Sequence, residues 1–258
     1  MQQNEIAGNQ DTGLLKIIAF VLMVTDHVGA RFFPAAIELR ILGRVAFPLY
    51  IWCLTVGACY TRSPWKYILR LALVGLISQP FYMLGLQHTW KEWNVFCTLL
   101  LGYLGVLGIR EKRWGSQYWA PLLVVGVSSL ISIDYGWRGV LLVILMYLVR
   151  KDRGAIIALM VAFCLYWGMP YIALTGVFGY RFEGAFFSNT IVQTVLRLQT
   201  MAILALPLIV WPRKQRTPLP KWLGYAAYPG HLLLLWLARM MAGAVTLEAS
   251  MKLLIPWM

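Results

Sequence analysis

Asp26 and His27 stand side by side in an otherwise apolar run, Leu14 to Ala30, and Arg44 lies just inside the next, in Gly43-Arg44-Val45-Ala46-Phe47-Pro48-Leu49-Tyr50. An acid, an imidazole and a guanidinium are the components of a site that moves protons or stabilises an anion. Histidine is the usual general base near neutral pH, and a desolvated arginine stabilises charge developing on oxygen. Ionisable groups in hydrocarbon cost several kcal/mol unless they pair or face water. Two consecutive apolar runs that carry them imply a polar site between packed helices. Structural roles compete with the chemical ones: Asp26 and Arg44 as an ion pair joining two helices, His27 as a hydrogen-bonded core histidine. Residues 26 and 27 are about 100° apart around a helix, so each should face its own partner.

The elements that hold these residues are read from composition and run length. The chain has 258 residues, 60% hydrophobic and only 13% charged, against roughly a quarter charged in soluble domains. Its apolar runs approach the ~20 residues that span a bilayer. The expected fold class is an all-α, polytopic integral membrane helical bundle. About nine transmembrane helices are expected, with eight to ten compatible, at 14–33, 41–60, 67–86, 94–109, 119–133, 137–149, 155–175, 198–211 and 223–243. Residues 1–13 read as a short polar tail without the basic start and cleavage site of a signal peptide, and 14–258 as one transmembrane domain.

A net charge of +13 would suggest nucleic acid on a soluble chain. Here the basic residues fall between apolar runs, which is the pattern of membrane topology, and no nucleic-acid partner is expected. Arg62 and Lys66, then Arg110, Lys112 and Arg113, then Arg150, Lys151 and Arg153, then Arg213, Lys214, Arg216 and Lys221 fill alternate connections. The positive-inside rule puts those connections and the N-terminus in the cytoplasm, in a bacterial inner membrane crossed many times. Cys53, Cys59, Cys97 and Cys164 lie in apolar runs with no metal-ligand spacing, and no metal is expected.

That topology places Asp26, about 18 Å along its helix from Leu14, in the outer half of the membrane. Arg44, Asn94, Asp134, Tyr135 and Arg138 then fall at a similar depth, as polar groups on the acceptor side. Asp134 has the alternative of capping the sixth span. His231 follows Tyr228-Pro229-Gly230, where a locally opened backbone is expected to line a cavity. Gly176 to Gln199 is too apolar for a solvated loop and reads as a re-entrant or surface-lying segment.

Several stretches together resemble the TraX family of membrane proteins linked to N-acetylation of conjugative pilin. They are Lys16-Ile17-Ile18-Ala19 through Asp26-His27, Gly43 to Tyr50, Asn94 to Leu100, Asp134-Tyr135-Gly136 with Gly139-Val140-Leu141, Gln199 to Pro207, and Tyr228-Pro229-Gly230-His231-Leu232. The resemblance implies an acetyl-CoA-dependent N-acetyltransferase, with O-acetyl transfer as a variant. The acceptor would be a pilin N-terminus or another envelope peptide. For such a reaction His27 is expected as base, Asp26 as the group that orients an imidazole or pairs with Arg44, and Arg44 as the stabiliser of the acyl oxygen. A transient acyl-His27 is the covalent variant. Acyl-CoA would be held by basic groups, with Arg110, Arg113, Arg150, Lys151, Arg213 and His231 as candidates, and membrane lipid would surround the bundle. Two other classes remain open: a small-molecule transporter or exporter that uses Asp26 or His27 for proton coupling, and a non-enzymatic pilus-assembly partner.

Overall fold

The computed structural model describes residues 6–254, and they are mostly helical. Residues 1–5 of the expected tail and the last four of the expected domain lie outside the described residues. The described chain begins with α1 (Thr12–Phe32), α2 (Ile37–Arg44), α3 (Ala46–Tyr60) and α4 (Pro64–Leu86). It continues with α5 (Val95–Glu111), α6 (Ser116–Leu130), α7 (Gly136–Val149) and α8 (Arg153–Gly168). A hairpin of β1 (Gly176–Val177) and β2 (Tyr180–Arg181) follows, then the short helices α9 (Ala185–Ser188) and α10 (Thr190–Val195). A 3-10 helix (Gln199–Ala205) leads into α11 (Leu206–Val210), and α12 (Lys221–Met241) and α13 (Leu247–Leu254) complete the described chain.

Each of the nine apolar stretches is helical over most of its length. Among the described residues, three helical segments are long and apolar enough to cross a membrane: Thr12–Phe32, Ile37–Tyr60 and Pro64–Leu86. The molecule is an all-α membrane protein, with one two-stranded hairpin among the described residues. The second of these spans joins α2 to α3 across Val45. Pro48 explains the break, because its missing N–H removes the helical donor for the Arg44 carbonyl.

The described chain packs as two compact units. One takes the residues up to Val56 together with Leu148–Pro218; the other takes Gly57–Tyr147 and the residues from Leu219 onward. No composition change marks the division, which falls inside α3 and inside α7.

The first unit is built on α3. Phe47, Leu49, Ile51 and Trp52 are fully buried there with Leu15 of α1 and with Ile156, Met160 and Trp167 of α8. Phe47 and Trp167 meet edge to face with ring centroids 6.0 Å apart. Residues 6–11, expected as part of a polar tail, are a buried strap. Ala7 N donates to Arg150 O at 2.8 Å, Asn9 N to Ile209 O at 2.8 Å and Gln10 N to Arg213 O at 2.9 Å. The Trp52 indole donates to Asn9 O at 2.6 Å, and Arg153 Nε to Ala7 O at 2.8 Å.

The strap ends in Asp11, the N-cap of α1, which accepts from Leu14 N at 3.1 Å. Its carboxylate also accepts from Thr217 N at 2.8 Å, Thr217 Oγ1 at 2.7 Å and Arg213 Nε at 3.0 Å. Burial pushes the Asp11 carboxyl up, but the Thr217 and Leu14 hydrogen bonds and the Arg213 charge outweigh it and hold the group below its ordinary 3.8. The folded state therefore prefers the carboxylate. The stability this contributes is complete above about pH 4 and is lost as pH falls through the lowered folded value. Asp11→Ala should lower stability at pH 7 by roughly 2 kcal/mol, the upper end for an N-cap, and flatten the acid limb of the stability profile. Denaturation in detergent between pH 3 and 7 measures both; an unaltered acid limb would remove Asp11 as its cause.

In the second unit α5 packs between α4 and α6. Val124, Ile133, Val140 and Ile144 form a buried cluster, with Cys97, Leu101 and Leu104 against it. Tyr67 and Tyr103 lie against each other with centroids 4.7 Å apart and planes inclined by 44°, and α12 lies along α4.

Candidate functional site

In the first unit α1 and α2 pack against each other and bring three charged side chains together inside the candidate spans. Arg44 Nη2 lies 2.7 Å from both carboxylate oxygens of Asp26. Arg40 Nη1 lies 3.0 Å from Asp26 Oδ2 and 3.2 Å from the Asp26 backbone oxygen. Asp26 and Arg44 are buried, while the Arg40 side chain is about a quarter exposed, at 26%. One carboxylate thus faces two guanidiniums in a low-dielectric setting. Such a site attracts an anion or a developing oxyanion.

Arg44 is the expected partner of Asp26. Arg40 is not, because the second span was expected to begin at residue 41. The chain turns through Pro34, Ala35 and Ala36, and helix starts at Ile37, so Arg40 stands one turn before Arg44 on one face. Gly43 allows the approach: a Cβ there would lie 2.2 Å from both Cβ and Oδ1 of Asp26. Gly43→Ala should push α1 from α2 and lower stability by about 1–3 kcal/mol, as overpacking does. A melting curve matching the unsubstituted protein would show that the two helices yield at no cost.

His27 is half-buried on α1. Asp26 spends its carboxylate on Arg40 and Arg44, which resolves one open choice: Asp26 pairs with arginine.

Arg44 reaches one further group. Its Nη1 donates to Gln199 Oε1 at 3.3 Å. Gln199 is fully buried at the start of the 3-10 helix. That run has seven residues, where three or four are usual. Pro207 accounts for part of it: lacking an N–H, it cannot close the α-helical bond to Ile203, and Leu206 N takes that carbonyl instead. The run lies against α8 where Gly168 meets Thr200; a Cβ on Gly168 would lie 1.9 Å from Thr200 Oγ1. Gln199 Nε2 has no hydrogen-bond partner among the described residues, an arrangement that costs roughly 1–3 kcal/mol when left unmet.

A cavity of about 400 Å³ opens in the same unit, lined by Ala35, Glu38, Leu174, Val177, Arg181 and Leu198 among others. It lies beside the α1–α2 corner and next in sequence to Gln199. The hairpin forms one wall. Its turn uses Phe178 and Gly179, both at positive φ, 50° and 75°, the backbone of a type I′ turn. The Phe178 N–H donates to Glu38 Oε1 and pins the hairpin to α2.

The remaining expected residues divide between the units. In the first, Arg150 accepts the strap through its carbonyl, Lys151 is exposed, and Arg213 holds Asp11. In the second, Arg110 donates to Ala58 O at 2.8 Å and to Thr61 O at 3.2 Å, closing the end of α3. Arg113 is exposed. Asn94 caps α5 through Phe96 N at 3.0 Å and donates to Gly75 O and Gln79 Oε1, both at 2.8 Å. Asp134 receives the Thr98 hydroxyl on its backbone oxygen. Tyr135 adopts φ 65° in the turn into α7, and Arg138 lies over the Trp137 ring at 5.1 Å.

His231 corrects an expectation. The backbone at Tyr228-Pro229-Gly230 does not open; α12 runs through it without a break. His231 is buried, and its Nδ1 donates to Ala227 O, 3.1 Å away in the same helix. That in-helix bond and the packing of α12 along α4 carry the helix past Pro229.

Comparison with known proteins finds relatives of this chain. The chain is 30% identical over 159 residues to protein TraX of Escherichia coli, covering 58% of this chain and 62% of that protein. It is 29% identical over 136 residues to a probable fimbrial assembly protein, FimC of serogroup H1, from Dichelobacter nodosus, covering 47% and 55%. It is 26% identical over 145 residues to a Rickettsia prowazekii protein of uncharacterised role, covering 54% and 56%. The matched region thus spans between 55% and 62% of these relatives' length. No solved structure matches. The profile of the TraX protein family matches residues 11–239, from the Asp11 cap to Arg239 of α12, and the chain is a member of that family.

Proposed function

We propose that this protein is an inner-membrane, multi-pass acetyltransferase that moves an acetyl group from cytoplasmic acetyl-CoA to an acceptor amine in the outer half of the membrane. The observation that carries the reading is the buried Asp26–Arg40–Arg44 cluster beside half-buried His27. Two guanidiniums anchored on one carboxylate inside a span suit a reaction whose transition state builds negative charge on oxygen. The names of the relatives point to fimbriae and to TraX, which supports a pilin or another envelope peptide as acceptor.

An amine must be neutral to attack a thioester, and a free α-amine with pKa near ~8 is mostly protonated at pH 7. His27 takes the proton from the attacking nitrogen. The nitrogen bonds to the carbonyl carbon, negative charge passes to the oxygen beside Arg44, and the C–S bond breaks. The departing thiolate receives the proton from His27. Asp26 holds Arg44 in place throughout. The acceptor enters from the cavity beside Glu38 and Arg181.

The basic groups fit the anionic donor in part. Lys151 is exposed and Arg150 and Arg213 lie along the same strap, so these three would hold its phosphates, with Arg213 shared with Asp11. The strap sits at the start of α1, the cytoplasmic end in this reading, and Asp26 lies about 21 Å further along that helix.

The test is direct. Purified protein in lipid, given isotope-labelled acetyl-CoA and a peptide with a free apolar N-terminus, should yield a peptide one acetyl group heavier by mass spectrometry. Substrate flux across vesicles with no acetyl transfer would favour a transporter in its place.

A further inference from the structure

Resting on the transferase reading, we infer that Gln199 is a substrate-contacting residue whose side-chain N–H donates to the acyl oxygen of the bound thioester, so that it completes an oxyanion site with Arg44. Three observations meet at this residue. First, its orientation is fixed chemically. A guanidinium only donates, so the amide oxygen must face Arg44 Nη1, which lies 3.3 Å away, and Nε2 must point elsewhere. Second, that nitrogen is buried and has no acceptor among the described residues. Buried donors are almost always satisfied, and an acceptor that arrives with the substrate would satisfy this one. A neutral N–H beside a guanidinium is suited to an oxygen that gains charge during reaction. Third, the residue sits at the first position of an overlong 3-10 helix, a geometry that often marks a functional point. Leu198, its neighbour, lines the cavity, so the open space adjoins this part of the chain.

The roles of the two atoms can be separated. Gln199→Glu keeps an oxygen for Arg44 and removes the donor. If Gln199 merely positions Arg44, this variant should work as well as the unsubstituted protein. If the N–H is used, kcat should fall about 10²–10³-fold, the usual loss for one oxyanion donor. The deficit relative to the unsubstituted protein should shrink as pH falls, because the introduced carboxyl, once protonated, again carries a donor.

A second reading does not depend on turnover. With acetyl-CoA labelled with ¹³C at the carbonyl and no acceptor present, the infrared carbonyl band of the bound thioester should lie at lower frequency in the unsubstituted protein than in Gln199→Glu. Gln199→Met, which removes both atoms, should match Gln199→Glu in band position. Identical bands in all three, or full kcat in Gln199→Glu, overturns the inference while the transferase reading stands. Failure of the unsubstituted protein to bind acetyl-CoA or transfer its acetyl group overturns both.

Discussion

Replacing Asp26 with Asn should lower the unfolding free energy by about 3–5 kcal/mol, the range for removing one partner from a buried ion pair. The effect belongs at the top of that range because the carboxylate serves two guanidiniums, Arg44 at 2.7 Å and Arg40 at 3.0 Å. Asn presents one oxygen and no charge, so both guanidiniums would lose the carboxylate that they share within a span. Gln199 already offers Arg44 its oxygen and cannot supply the missing charge. Adding Arg44→Met to Asp26→Asn should recover part of the loss, since the double variant leaves one cation instead of two. The interaction energy of the cycle should approach ~3 kcal/mol, the upper end for contacting residues. Chemical denaturation in one detergent, across the two single variants and the double, supplies all the terms. Strict additivity would mean that the close contact is energetically idle, and the site would lose its anchor.

The second large effect is catalytic. His27→Ala should reduce kcat by about 10²–10⁴-fold, the contribution of a positioned general base, while stability changes by at most ~1.5 kcal/mol, the worth of one hydrogen bond. His27 is half-buried, so its removal leaves no large void. The pairing of a large kinetic loss with a small stability change separates it from Asp26→Asn, where both fall. If the lost base acted on the acceptor amine, raising the pH toward the amine's own pKa should restore part of the rate, because neutral amine then forms without help. A variant that turns over at the normal rate at pH 7 would leave the reaction without its proposed base.

These two residues were visible in the sequence for a physical reason. A charge inside an apolar run is a local anomaly, and the energy of burying it demands a partner nearby. Asp26 and Arg44 therefore identified each other. The helices were legible on the same ground, since apolar run length is read residue by residue, and each of the nine stretches is helical over most of its length. What was not legible depended on distance along the chain or on neutral groups. Arg40 falls just before the expected second span, 41–60, because Pro34 and the alanines after it blur where α2 begins. Gln199 carries no charge, so nothing in its own surroundings announces that it meets a residue 155 positions earlier. Asp11 sits among polar residues that resemble a solvated tail, and its partner Thr217 is 206 positions away. Pro229 misled in the opposite direction: a helix breaker by local rule, it is carried within α12 by packing that local rules do not see.

The buried strap has a consequence for how the protein is made. Asp11 is synthesised long before two of the residues that satisfy it, Arg213 and Thr217, which follow 202 and 206 positions later. At roughly 5–20 residues per second, ribosomal elongation over that distance takes on the order of ten to forty seconds. Throughout that interval the Asp11 carboxylate lacks Thr217, one of the groups that hold it in the folded chain. The closure of Asp11 on Thr217 is therefore a late event, and the first unit cannot lock until synthesis has passed Thr217.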